Sequence, residues 1–149
     1  MNLEELIYNV RVNTFDLDGN IFEDKLIVSF INEGIDRCKH IINELSDMEY
    51  LKENTDEPIL LPSKYHHLLG LYSSSRCFFS DERYHQATIV MNEFEYKLEQ
   101  FLFKLTNGEE EIVDDWGDKV DGSNVHDYVV DNYFVDKNGR FGDSGDEVV

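Results

Sequence analysis

Residues 81–106 read DERYHQATIVMNEFEYKLEQFLFKLT. Their apolar side chains recur in alternating steps of three and four, which places them on one face of an α-helix. The twenty-six residues would form a rod about 39 Å long, and such a helix needs neighbouring helices to cover its apolar face. We expect Ser80 or Asp81 to cap its start and Asn107-Gly108 to end it. The predicted buried residues are Tyr84, Ala87, Met91, Phe94, Leu98, Phe101 and Leu105.

Two more helices are predicted in the first 45 residues. Asn2 and Glu5 have the spacing of a capping box, which predicts a helix over about 2–13. A second helix is predicted over about 23–45, where apolar residues again recur in steps of three and four. Gly34 lies on its apolar face, where the absence of a side chain permits close approach by another helix at about 1 kcal/mol of helix propensity.

A third helix is predicted over about 62–79, because Pro62 stands where a first helical residue would. Gly70 and the serines at 73–75 give it a face of small side chains, so it should pack between larger helices. Only the short turn at 80–81 separates it from the long helix. These two helices are therefore expected to form an antiparallel hairpin.

The predicted fold is mostly α: an antiparallel bundle of about four helices over residues 1–106, followed by an extended acidic arm over residues 107–149. The arm has no helical periodicity and holds 13 acidic and three basic residues, for a charge of −10. Asn138-Gly139 is its best signal for a β-hairpin turn.

Two interpretations of the arm compete. High charge and low mean hydropathy favour a disordered tail. The arm also contains many large apolar residues, five of them aromatic, and aromatic side chains are the ones that most often anchor interfaces. We therefore predict that the arm orders against a partner, for example by adding a strand to its sheet. The candidate partner-binding residues are Trp116, Tyr128, Tyr133, Phe134 and Phe141.

Charge is the outlying feature of the composition. The 149 residues include 32 acidic and 13 Lys or Arg side chains, for a net charge of −19. Such a surface repels phosphate backbones and anionic lipid, which argues against conventional nucleic-acid binding. It suits a protein that lies near DNA without adhering to it, or one that imitates DNA.

The cysteines and the lack of long apolar runs predict a soluble protein made in a reducing cytoplasm. Cys38 and Cys77 each fall inside a helical pattern and are expected to be buried, reduced thiols. The sequence shows neither a signal peptide nor a run of 18 apolar residues, so no membrane span is predicted.

No catalytic residue, metal site or cofactor is predicted. His66 and His67 are adjacent and point about 100° apart on a helix, so the two rarely chelate one ion, even with His85 nearby. The acidic turn at 15–20 lacks the ligand order of an EF-hand and is interpreted as a solvated turn. Cys77 near a histidine resembles a nucleophile pair, but no nucleophile elbow or phosphate loop accompanies it. The chain is therefore not expected to be an enzyme.

Three groups of residues resemble one known family. They are INEG at 31–34, LPSKYHHLL at 61–69 with Tyr72, and DER at 81–83 with Gln86-Ala87 and Phe94. In order and spacing they are similar to the head–tail connector (adaptor) proteins of tailed bacteriophages. The resemblance covers about residues 2–106 and mainly packing positions, and the acidic arm has no counterpart in it.

This resemblance implies a structural virion protein. Its small helical subunit would assemble as an oligomeric ring, usually dodecameric in that family, beneath the portal. It would link capsid to tail in the phage neck, with chain extensions gripping the portal protein or other neck and tail components. A negative channel wall would let packaged DNA pass without specific binding, since it opposes phosphate adhesion.

Two alternatives come from other classes of protein. One is an acidic DNA-mimic inhibitor of a DNA-binding protein, which requires carboxylates spaced like phosphates on a rigid face. The other is a zinc hydrolase, which requires a set of metal ligands.

Overall fold

Four α-helices make up most of the computed structural model, which describes residues 1–114 and 116–120. The predicted mostly α fold is confirmed. Within the described residues, β-structure is limited to a single antiparallel bridge between Val113 and Lys119. The helices are α1 (Leu3–Thr14), α2 (Asp24–Ile41), α3 (His67–Ser80) and α4 (Tyr84–Thr106), with 3₁₀ turns at Asn43–Leu45 and Ser63–Tyr65.

The start of α1 has the predicted capping box. The side chain of Asn2 accepts the backbone N–H of Glu5 at 2.9 Å, and the Glu5 carboxylate accepts that of Asn2 at 2.8 Å. These two bonds satisfy donors that the first turn of a helix leaves free. At the other end of α1, Phe15 adopts a left-handed conformation with φ of 60°.

Helix α3 is the centre of the bundle and packs against α1, α2 and α4. Its small residues allow this, as the sequence predicted, because Ser73, Ser74 and Ser75 are all buried. Their hydroxyls find carbonyl partners: Ser73 donates to Ile27 of α2 at 3.2 Å, and Ser75 to Ala87 of α4 at 2.7 Å. Hydroxyls paired in this way add little desolvation cost.

The predicted antiparallel hairpin of α3 and α4 is confirmed by contacts along both helices. Ser75 meets Ala87 near the turn between the helices, whereas the ring of Tyr72 packs edge-on against Phe94 further from that turn. The buried face of α4 consists of Ala87, Phe94, Leu98 and Phe101, with Met91 and Leu105 partly covered.

The start of α4 differs from the prediction. The helix begins at Tyr84, and neither Ser80 nor Asp81 caps it. Glu82 takes a left-handed conformation with φ of 62°, and the Asp81 carboxylate instead pairs with Arg83 at 2.9 Å. As a result Tyr84, predicted to be buried, is 54% exposed.

Two other helix boundaries also shift. Helix α2 ends at Ile41, and Leu45 reaches the core from the following 3₁₀ turn instead. Pro62 precedes a 3₁₀ turn rather than opening α3 directly. Both changes keep the predicted apolar residues on the buried side.

Both cysteines are buried and unpaired, as predicted. Burial raises the pKa of the Cys38 thiol to about 12 and that of Cys77 to about 12. A thiol with such a pKa is not a nucleophile near neutral pH. Among the described helices, none combines the length and apolar character needed to cross a membrane.

A candidate partner-binding groove beside Trp116

One groove of about 880 Å³ lies between the loop at 47–60 and the segment at 112–120. It is within the size range of ligand sites in proteins. The loop contributes Asp47, Met48, Glu49, Tyr50, Leu51, Thr55, Asp56, Glu57, Ile59 and Leu60, and the segment contributes Asp114, Trp116, Lys119 and Val120.

A tight turn presents Trp116 at the edge of this groove. One carboxylate oxygen of Asp114 accepts the backbone N–H groups of both Trp116 and Asp118, each at 2.9 Å. The backbone N–H of Asp114 also donates to the Asp118 carbonyl at 2.8 Å, and Gly117 supplies the positive φ of 84° that the turn needs. The Trp116 side chain is left 86% exposed.

The base of the turn is attached to the bundle. Ile112 is only 1% exposed and belongs to the core. The Glu110 carboxylate pairs with Lys64 and accepts the Tyr65 hydroxyl at 3.2 Å, and the ring of Tyr65 stacks on Phe101. The hydrogen bond from Lys64 holds the pKa of Glu110 below its usual 4.5. The predicted arm therefore begins with residues that are fixed to the helices.

The opposite wall is held by side chain to backbone bonds. Asn32 of α2 bonds both the carbonyl and the N–H of Leu51, at 3.0 and 2.9 Å. The Asp56 carboxylate accepts the N–H groups of Lys52 and Glu53, each at 2.8 Å. Donation from Glu53, and then from Lys52, lowers the pKa of Asp56. These bonds give a defined conformation to the loop that separates the predicted second and third helices.

The lining of the groove combines apolar side chains with carboxylates, and we call these carboxylates its acidic rim. Five carboxylates and one amine line it, for a local charge of −4 (five negative, one positive). The amine belongs to Lys119. Ile59 and Trp116 are exposed apolar side chains here, whereas Met48 and Leu51 are buried beneath the groove. The carboxylates are those of Asp47, Glu49, Asp56, Glu57 and Asp114.

Of the predicted partner-binding residues, Trp116 is the one that the structure describes. Tyr128, Tyr133, Phe134 and Phe141 lie outside the described residues, as does the predicted hairpin turn at 138–139. Sequence reasoning missed the loop residues that the fold brings to Trp116. Their mixed apolar and acidic composition was a weak signal, since contact with a segment more than fifty residues away depends on the fold.

Sequence reasoning also missed an apolar stripe on the outer face of α4. Ile89, Tyr96 and Phe103 follow each other at seven-residue steps and are each more than half exposed. Seven residues are close to two helical turns, so the three lie along one line. That spacing was readable in the sequence beside the stronger buried pattern.

The histidines do not form a metal site in the part of the chain that is described. His66 is buried with its Nε2 2.8 Å from the Leu61 carbonyl, whereas His85 is exposed. No group of three or more His, Cys, Asp or Glu side chains among those residues could hold a metal ion.

Comparison of the chain with protein-family models, with curated proteins and with solved structures found no match in any of the three.

Proposed function

We propose that this chain is a structural connector of the bacteriophage neck, in which it assembles as an oligomeric ring under the portal and joins capsid to tail. The observation that carries the proposal is the exposed indole of Trp116 on a turn fixed to the bundle. Exposed tryptophans on rigid supports are typical anchors of protein interfaces. Here the anchor stands beside a groove that could receive part of a neighbouring protein.

Two further features support a structural role. The helical bundle gives a compact, well-packed subunit whose core runs through all four helices. The net charge of −19 opposes adhesion of DNA to any surface that faces a channel. Both features suit a protein through which DNA slides during packaging and ejection.

The proposal can be tested by mixing the purified full-length protein with the portal protein from the same genome. Electron micrographs should show an added ring beneath the portal. Trp116→Ala should weaken that assembly by about tenfold or more, as expected for an interface anchor. Tyr8→Ala is a matched control, because Tyr8 is an exposed aromatic residue on α1 and lies outside the groove. Portals of unchanged appearance would refute the proposed function.

The role of the arm needs a truncation that leaves the groove intact. Removing residues 109–149 would also delete Ile112 from the core. Weaker assembly could then result from lost stability as well as from lost contacts of the arm. Removing residues 121–149 instead keeps every residue that lines the groove. We expect the shorter protein to keep the helical circular dichroism of the full chain and to assemble more weakly with the portal.

A further inference from the structure

We infer that the groove beside Trp116 binds a basic peptide segment of a neighbouring protein, one that carries lysines or arginines around a large apolar side chain. This inference deepens the proposed function and rests on it for the identity of the neighbour. The chemistry of the segment follows from the groove itself.

Charge complementarity selects the basic residues. The groove has five carboxylates and one amine, and three of the carboxylates belong to the exposed residues Asp47, Glu49 and Glu57. Fixed negative charges around a concave surface attract cations and repel anions, which gives specificity and speeds association. An acidic or neutral segment would gain nothing from this rim.

The exposed apolar side chains that line the groove favour a large apolar side chain in the bound segment. Ile59 is 64% exposed, and the indole of Trp116 stands across the groove from the loop that bears it. A large apolar side chain placed between them would remove both from water, and each Å² of apolar surface so covered is favourable. The ring of Trp116 is also a good face for a lysine or arginine side chain.

The chain's own continuation is a poorer occupant. Residues 121–149 follow directly from Val120, which lines the groove, so they begin close enough to enter it. They contain seven carboxylates and two basic side chains, for a charge of −5. That charge has the same sign as the rim, so a segment from another protein fits better.

The groove contains its own reporter, because Trp116 is the single tryptophan of the chain. Titration of the full-length protein with short tryptophan-free peptides can therefore be followed by indole fluorescence. We expect a peptide of alternating lysine and leucine to shift the emission to shorter wavelength and to saturate. The matched peptide of alternating glutamate and leucine should not bind, and neither should a lysine and serine peptide. Added salt should weaken binding by screening the rim.

Two double variants make the test specific to the groove. Glu49→Lys with Glu57→Lys reverses two rim charges, and should weaken binding of the basic peptide by about tenfold or more. Asp18→Lys with Glu99→Lys makes the same change in net charge at exposed positions outside the groove, and should leave the dissociation constant within about twofold. Circular dichroism of both proteins would verify that they fold.

Several outcomes would overturn the inference. They are equal binding of the acidic peptide, equal effects of the two double variants, and no binding of any peptide. A large emission shift and new peptide binding on removal of residues 121–149 would assign the groove to the chain's own arm instead. Peptide binding without assembly on the portal would refute the proposed function alone. Assembly on the portal without peptide binding would refute this inference alone.

Discussion

The carboxylate of Asp16 accepts the backbone N–H of Phe22 at 2.9 Å, across six residues of the loop between α1 and α2. The same carboxylate accepts the N–H groups of Asn20 and Ile21, and lies 3.0 Å from Arg11. Asp16 is only 3% exposed. The sequence had predicted a solvated turn here, and for Asp16 that prediction is wrong. Its carboxylate is buried because the loop supplies the hydrogen bonds that water would otherwise make.

Replacing this carboxylate should destabilise the fold severely. Asp16→Asn keeps the size of the side chain but removes the charge that faces Arg11 and one of the acceptor oxygens. We expect the free energy of unfolding to fall by about 3 kcal/mol, as when one partner of a buried ion pair is removed. Urea denaturation would measure it. Asp18→Asn in the same turn is the control: its side chain is exposed, so a change within about 0.5 kcal/mol is expected. Equal effects of the two substitutions would contradict this account.

The same carboxylate should contribute to unfolding in acid. Burial by itself would raise the pKa of Asp16, but the N–H groups of Phe22, Ile21 and Asn20, together with Arg11, lower it below its usual 3.8. As pH falls, the unfolded chain therefore takes up this proton before the folded chain does. The stability that Asp16 contributes is complete above about pH 4 and is lost as pH falls further. The difference in stability between wild type and Asp16→Asn should therefore shrink below that pH.

A buried histidine predicts a second pH-dependent step at higher pH. The Nε2–H of His66 donates to the Leu61 carbonyl at 2.8 Å, and burial lowers its pKa below the usual 6.5. Below pH 6.5 the unfolded chain binds the proton first, so stability should fall as pH falls from there toward the folded pKa. Burial also lowers the pKa of His67, which adds to this fall.

His66→Gln should reduce this pH dependence without abolishing it, because His67 remains. Glutamine is uncharged and can still donate to the Leu61 carbonyl. The measurement is the difference in unfolding free energy between pH 7.5 and 5.5, from urea curves of each protein. His85→Gln, on the exposed side of α4, should leave that difference as in the wild type. An unchanged difference in His66→Gln would show that protonation of this ring is not coupled to folding.

The sequence predicted those features that depend only on residues close together along the chain. The spacing of Phe94, Leu98 and Phe101 identified the buried face of α4, because that face depends only on the helical repeat. The capping box at Asn2 was predicted for the same reason, since all its atoms lie within one turn.

The remaining features depend on contacts between distant parts of the chain. Asp16 is buried by the hydrogen bonds of the loop at 20–22. Trp116 and Ile59 line the same groove only once both segments pack on the bundle. Such contacts between distant segments cannot be predicted from composition or local spacing. The exposed position of Tyr84 was missed because the helix starts later than its apolar pattern suggested.

The close contact of α2 and α3 gives a prediction in which two effects oppose. A Cβ added at Gly34 would lie 3.2 Å from the Cβ of Tyr72 and 3.3 Å from two of its ring atoms. Gly34→Ala gains about 1 kcal/mol of helix propensity. Tyr72 Cβ moves only with the backbone of α3, so overpacking costs more, about 2 kcal/mol. We expect a net loss of about 1 kcal/mol in urea denaturation. Ser29→Ala, at an exposed position of the same helix, should not lower the free energy of unfolding. A Gly34→Ala protein more stable than the wild type would show that α3 shifts to accommodate the added methyl group.

Ile112 attaches the arm to the bundle and Val113 does not, so we expect substitutions at these two positions to change stability differently. The side chain of Ile112 is 1% exposed and belongs to the core, and its backbone carbonyl accepts the Val120 N–H at 2.7 Å, which closes the base of the Trp116 turn. Ile112→Ala should lower the free energy of unfolding by about 2–4 kcal/mol through lost burial and the cavity left behind. Val113→Ala should change it by less than about 0.5 kcal/mol, because Val113 is 46% exposed.

The same pair of variants would also test whether Ile112 holds the Trp116 turn in place. If the turn is held by Ile112, its loss should also free Trp116, seen as lower fluorescence anisotropy of the indole in the folded protein. Val113→Ala should leave the anisotropy unchanged. Were Ile112→Ala as stable as the wild type, with Trp116 equally ordered, the segment at 112–120 would not be part of the folded unit. The groove would then lack one of its walls, and neither the binding of a basic segment nor the rigid presentation of Trp116 would follow.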